Sequence, residues 1–285
     1  MSERIRRHLL LTPHGYMECR ETGQGTPLLL LHATPTSAAM YDDLLPYLSD
    51  GAGNMSVRAM ALSTMGYGIS DRPPRPYSTV REFSQAVVWA MESLGLEQAN
   101  VFATHTGAVV GVELAANWPK RVAALILEEI NDYNNDDGRA FQEGRHFYRE
   151  PRPDGEHLLE LWEDLAVLGP SPTLRVSAER YLDTLRVNAL APESPYGHMG
   201  WRGAGPHAIC RYPIWEQLSL VQIPTLVIHG TNSRIRPLHE RVVATLPNGH
   251  GVLVPSRDVF TPNENPALLA RITHEFLRKH SPQSA

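Results

Sequence analysis

The chain has 285 residues, 42% of them hydrophobic and 20% charged, with a formal net charge of −5. That length supports a sizeable core, either as one large domain or as a core carrying an inserted second unit. The acidic balance excludes a general nucleic-acid binder and a protein held on anionic membrane, since both present a basic face.

The N-terminal "MSERIRRHLLLTPHG" has positive charge but a short apolar run and no small-residue cleavage pattern, so it reads as a first strand rather than a signal peptide. "TPLLLLH" (26–32) is a continuous apolar run ending at a polar loop, as a buried parallel strand is. "VRAMAL" (57–62) is another such run, and "VREFSQAVVWAMESLGL" (80–96) has helical spacing and closes on Gly95. "NVFATH" then reads as a strand, "GAVVGVELAANWP" as a helix stopped by Pro119, and "RVAALILEEI" as a strand. From about 131 to 215 the pattern changes to a polar, turn-rich stretch followed by helix-like segments such as "EHLLELWEDLAVL" and "SAERYLDTLRVNAL". Strand–helix alternation resumes with "IPTLVIHG" (223–230), "HGVLVP" (250–255) and the helix "PALLARITHEFLRKH". Alternation at this spacing predicts an α/β fold, a mostly parallel sheet covered on both faces. The expected division is a core of 1–130 and 216–285, interrupted by a mostly helical cap over 131–215.

Several motifs resemble the α/β-hydrolase fold superfamily, in particular its haloalkane dehalogenase and epoxide hydrolase branch. "LLLLHATPTSAAMYDDLLPYL" resembles the loop that reads His-Gly-x-Pro-Thr-Ser there, and "MGYGISDRP" resembles a Gly-x-Gly-x-Ser-Asp segment. "ATHTGAVVGVELAANWPKRVAALIL" sits where those enzymes place the nucleophile elbow. "IPTLVIHGTNSRIRP" and "VLVPSRDVFTPNENP" resemble the segments carrying the catalytic acid and histidine. The resemblance runs through both halves of the core and implies the α/β-hydrolase fold with a cap.

On that alignment the catalytic triad is degenerate. Thr106 takes the nucleophile position, Ser233 that of the acid and Val259 that of the histidine; Ser63 and Ala33 replace a further Asp and Gly. A threonine hydroxyl needs a base within hydrogen-bond reach to become a nucleophile, and valine cannot serve. Thr106 is β-branched and flanked two residues away by Thr104 and Ala108, so the expected elbow is more relaxed than that of a serine hydrolase. The oxyanion site, made of backbone N–H groups, is expected at Thr34 and Gly107.

Other candidates fall around this frame. Glu129 lies where one branch of the dehalogenases keeps a catalytic glutamate; it is either a base in its own right or a carboxylate bracing the core–cap junction. His229 ends its strand at the active edge of the sheet, where packing is the expected role. His32 and His105 occupy positions where relatives carry structural histidines but also border the substrate pocket. His198, Trp201 and His207, in the Gly-rich part of the insertion, are cap residues that could line it. His250 starts its strand at the wrong end of the sheet, and His274 and His280 are expected at the surface of the last helix.

Cys19 and Cys210 imply no disulfide framework, which suits a reducing cytoplasm. No Cys/His cluster has metal-ligand spacing, and "GYG" at 66–68 lacks the helix and further glycine of a dinucleotide fingerprint, so no cofactor and no metal are expected. The expected ligand is a small apolar organic substrate, with no nucleic acid and no membrane as partner; a homo-oligomer is possible. Three functions stay open. One is cyclisation, C–C cleavage, decarboxylation or isomerisation of a small carbonyl compound without acyl-enzyme chemistry, as in biosynthetic tailoring, which predicts turnover more tolerant of Thr106→Val than of Glu129→Gln. The others are ester or lactone hydrolysis by Thr106 with an unconventional base, and small-molecule binding without catalysis. A dehalogenase or epoxide hydrolase would need a carboxylate nucleophile, which position 106 lacks.

Overall fold

In the computed structural model, residues 5–50, 55–144, 148–166, 174–189, 204–256 and 261–280 are described. Eight strands form one sheet: β1 (Arg6–Thr12), β2 (Gly15–Thr22), β3 (Thr26–Leu31), β4 (Val57–Leu62), β5 (Ala99–Thr104), β6 (Val122–Glu128), β7 (Thr225–Gly230) and β8 (Gly249–Val254). Their order is β1-β2-β4-β3-β5-β6-β7-β8. The six strands from β4 to β8 are parallel, and the β1–β2 hairpin adds antiparallel to β4.

Strand β2 was not among the expected elements. "GYMECRET" alternates polar with apolar residues, and its charged side chains make it look solvated. The sheet buries them instead: Glu18, Arg20 and Glu21 are all less than a tenth exposed. Glu18 accepts from Arg20 at 2.9 Å and from Ser63 at 2.7 Å, while Arg20 reaches Asp42 at 2.6 Å. Pairing of this kind is the condition on which charges enter a core.

The central strands read in both directions at period two. Leu29 and Leu31 enter one apolar cluster, Leu28 and Leu30 the other. The first cluster lies under α2 (Val80–Ser93), α3 (Thr106–Asn117), α8 (Ile214–Leu220) and α9 (His239–Thr245); the second lies under α1 (Leu45–Ser49) and α11 (Pro266–His280). Helix α2 begins where Thr79 and Glu82 form a reciprocal capping box. It ends at Gly95, whose φ of 69° and the Leu96-to-Met91 hydrogen bond complete a left-handed cap. His274 on α11 is not at the surface: it is 3% exposed, and its Nε2 bonds the Leu48 carbonyl at 2.9 Å. The helix lies flat on the second cluster, so a polar position on its inner stripe is carried inside.

Between β6 and β7 the described helices are α4 (Asp136–Glu143), α5 (Glu156–Ala166), α6 (Leu174–Ala189), α7 (Ala204–Ile209) and α8. Helix α7 touches the active edge directly. Gly205 donates its N–H to the Tyr67 hydroxyl at 3.0 Å, and a Cβ on it would meet Thr34 at 2.8 Å.

Candidate active site

Among the described residues only two that are not glycine have positive φ, His105 at 55° and Glu129 at 53°. They follow directly after β5 and β6, neighbours at the carboxyl edge of the sheet. Left-handed backbone at such residues is costly and persists where surrounding structure imposes it, a pattern common at active sites.

The tight turn between β5 and α3 therefore has His105 at its apex, with φ 55° and ψ −111°, and Thr106 is already the first residue of α3. This corrects the assignment of Thr106 to the nucleophile position, and the elbow is strained rather than relaxed. The physical reason lies two residues to either side. Gly107 abuts β3 so closely that a Cβ would come within 2.1 Å of the Leu31 carbonyl oxygen. Ala103 faces Gly111 across the turn, at 3.1 Å from the Cβ that Gly111 lacks. The small residues that permit the elbow are Ala103 and Gly107, and they bracket position 105. The sequence held this signal in the spacing of those two residues.

The shift changes the other roles. The residue after the apex is Thr106, so the N–H expected of Gly107 falls to Thr106 on this register. Thr34 keeps its place: its N–H lies 3.4 Å from Thr106 Oγ1, and the two threonine hydroxyls are 2.9 Å apart. Among the described residues no histidine nitrogen bonds the Thr106 hydroxyl.

His105 is half-buried. Its Nδ1 is 3.0 Å from Asn131 Nδ2, and its ring stacks on Tyr133 with centroids 6.2 Å apart. An amide nitrogen can only donate, so Nδ1 is the acceptor and the imidazole carries its proton on Nε2. Burial, then the positive charge of Arg234 and the His229 ring, push its pKa down to about 3. The apex thus presents an imidazole whose Nε2 is the ring nitrogen not taken by Asn131.

His32 and His229 use both of their ring nitrogens. His32, 1% exposed, accepts the Thr64 N–H at Nε2 and gives Nδ1–H to the Ala33 carbonyl, each at 2.9 Å. It braces the loop carrying Thr34 rather than meeting substrate, and burial lowers its pKa to about 4. His229 gives Nε2–H to the Ile130 carbonyl at 3.0 Å and receives His239 at Nδ1, also at 3.0 Å. It is a packing residue, held to a pKa of about 4 by burial. His207 on α7 is half-buried and paired with Arg211 at 3.0 Å. Val259, His198 and Trp201 lie outside the described residues.

Glu129 is fully buried; Oε1 accepts from the Gly230 N–H at 2.6 Å and Oε2 from the Ser233 hydroxyl at 2.5 Å. The two positions from which this fold family would draw its acid, one after β6 and one after β7, are here joined to each other. Glu129 ties the ends of the two strands together, which is the bracing role rather than that of a free base.

A cross-strand grouping was invisible to spacing. His8, Cys19 and Glu21 bring ligand atoms within 4.8 Å of one another because His8 and Cys19 face each other across the β1–β2 hairpin. Glu21 already binds Arg6 at 2.9 Å and Arg58 at 3.0 Å, and two guanidinium groups disfavour a further cation there.

A family model described as alpha/beta hydrolase fold matches residues 26–254. A haloalkane dehalogenase of Mycolicibacterium paratuberculosis (strain ATCC BAA-968 / K-10) is 36% identical over 105 residues, 36% of this chain and 33% of that protein. One from Mycobacterium marinum (strain ATCC BAA-535 / M) is 32% identical over 120 residues, 41% of this chain and 39% of that protein. The chain's match thus spans little more than a third of these curated relatives. Among solved structures, the enol-lactonase from Burkholderia xenovorans LB400 superposes with a TM-score of 0.70 at 18% identity, covering 95% of this chain and 100% of that one. That likeness is one of fold.

Proposed function

This chain belongs to the alpha/beta hydrolase fold family, and from that premise we propose that it is a cofactor-free enzyme acting on a small, mostly apolar carbonyl compound without a Ser-His-Asp triad. The observation that carries the reading is His105 at the apex of the elbow, neutral and with Nε2–H as its donor face. A carboxylate or hydroxyl at that apex would open acyl-, alkyl- or epoxide-transfer chemistry; an imidazole that holds its Nδ1 lone pair against Asn131 does not. Its role is to polarise a substrate carbonyl and hold the oxygen as negative charge develops on it, aided by the backbone N–H groups of Thr34 and Thr106. A low proton affinity suits that task, because a neutral donor shares its proton without first having to gain one.

Reactions that pass charge onto a carbonyl oxygen without a covalent intermediate fit: carbon–carbon cleavage, decarboxylation and cyclisation, and enolisation or isomerisation in which solvent water takes and returns the carbon-bound proton. Residues 131–215 would form the cap that selects the substrate. Hydrolysis by Thr106 is disfavoured, because its hydroxyl bonds Thr34 and it stands one residue past the apex.

The test is deuterium incorporation next to the carbonyl of a panel of small enolisable ketones and lactones in heavy water. The expected result is exchange that falls about 100-fold or more in His105→Gln and persists in Thr106→Val. Exchange indifferent to His105, a stoichiometric fluorophosphonate adduct lost in Thr106→Ala, or ligand binding with no exchange on any probe would overturn the reading.

A further inference from the structure

The loop after β7 carries a cation whose place the proposed chemistry does not yet use. Arg234 follows Ser233 and is exposed, yet it is fixed: Nη2 donates to the Tyr133 hydroxyl at 3.0 Å, and its Cζ sits 4.6 Å over the Phe141 ring. Tyr133 is buried, with the His105 ring centroid at 6.2 Å and that of Phe141 at 5.7 Å. The guanidinium therefore lies one aromatic ring away from the elbow apex. Among the described residues no carboxylate pairs with it. A guanidinium has five N–H donors in a planar fork, and the tyrosine hydroxyl takes one. The remaining edge matches a carboxylate in shape and charge.

We propose that Arg234 is the anchor for a carboxylate on the substrate, so that the compound turned over is a carbonyl acid reaching from Arg234 to His105. This rests on the reading of His105 as the carbonyl donor and narrows its substrate class. A guanidinium preset by stacking loses little freedom on binding. The same cation is one cause of the low proton affinity of His105. A bound carboxylate would offset it, so anchoring and imidazole are coupled through charge.

Calorimetric titration with benzoate and with benzamide at low salt tests the anchor. Benzoate is expected to bind the wild-type protein, more weakly as salt is raised, and benzamide to bind at least about tenfold more weakly. Arg234→Gln should lose that tenfold preference, and Tyr133→Phe, which keeps the ring but releases Nη2, should lose part of it. His105→Gln should keep it. Benzoate binding that depends on Arg234 but not on His105 supports the anchor even where the exchange assay fails. Equal binding of acid and amide, or benzoate binding unchanged in a folded Arg234→Gln protein, would overturn it whatever the exchange assay returns.

Discussion

Gly107→Ala tests the register of the elbow by the sign of its effect. In an unhindered helix the substitution would stabilise, since alanine is preferred to glycine by about 1 kcal/mol. Here the added Cβ would stand 2.1 Å from the Leu31 oxygen, 2.5 Å from the Leu31 carbon and 2.8 Å from the His32 oxygen. All three are main-chain atoms of β3 or its end, and Leu31 is held in the ladder on both sides, opposite Leu62 and Ala103. They cannot step aside as a side-chain tip can. Overpacking against atoms that cannot yield falls at the upper end of the usual range, about 3 kcal/mol. The net expectation is a loss of about 2 kcal/mol, or roughly 4 to 8 °C in melting temperature for a chain of this size. Gly111→Ala, on the same helix, is the comparator: its Cβ would meet Ala103 Cβ at 3.1 Å and Leu125 Cδ1 at 3.2 Å. Those are side-chain atoms that shift by tenths of an ångström, so its effect should lie within about 1 kcal/mol of zero. Circular-dichroism melts and urea midpoints of the three proteins decide it. A Gly107→Ala protein that melts at or above wild type would show that the close approach to β3 is not made. The placement of the apex at His105 would then lose its steric basis.

Four further outcomes are expected. Nitrogen-15 spectra of the imidazoles should show His105 as the Nε2–H tautomer and His32 as the Nδ1–H tautomer, both unprotonated at pH 5; an Nδ1–H signal from His105 would contradict the Asn131 contact. Because burial depresses the folded pKa of His32 and of His229 to about 4, each contributes stability present above pH about 6.5 and lost as pH falls towards 4. Ser233→Ala removes the hydroxyl donor to a fully buried Glu129 oxygen and should cost about 2 kcal/mol; a urea midpoint equal to wild type would refute the bracing role. Asp183 on α6 is 3% exposed, and burial raises its pKa to about 7 against the Ser37 hydrogen bond and the Arg186 and Arg20 charges, with Glu18 adding to the rise. Its folded pKa is raised, so the stability it contributes is present at low pH and lost as pH rises towards 7. Asp183→Asn should therefore gain stability over wild type progressively between about pH 4 and 7 and hold level above, by at most a few kcal/mol; a gap independent of pH would refute this.

The sequence alone determined the layered core, because continuous apolar runs such as "TPLLLL" and "VRAMAL" have no other place than a sheet buried on both faces. It also determined the order of the elements and the position of the turn between β5 and α3. What escaped it was set by contacts between distant segments. Strand β2 looked solvated until Arg20 met Asp42 and Glu21 met Arg58 across the sheet. His274 looked exposed until α11 lay down on Leu48. The apex of the elbow depends on which residue the approach of Gly107 to Leu31 forces into positive φ, a distance between two strands that no local pattern encodes. One residue of register moves the apex of the elbow from Thr106 to His105, and with it the side chain at that point from a hydroxyl to an imidazole. Secondary structure follows from local chain statistics and burial; the identity of the group at the apex follows only from how β3, β5 and α3 pack.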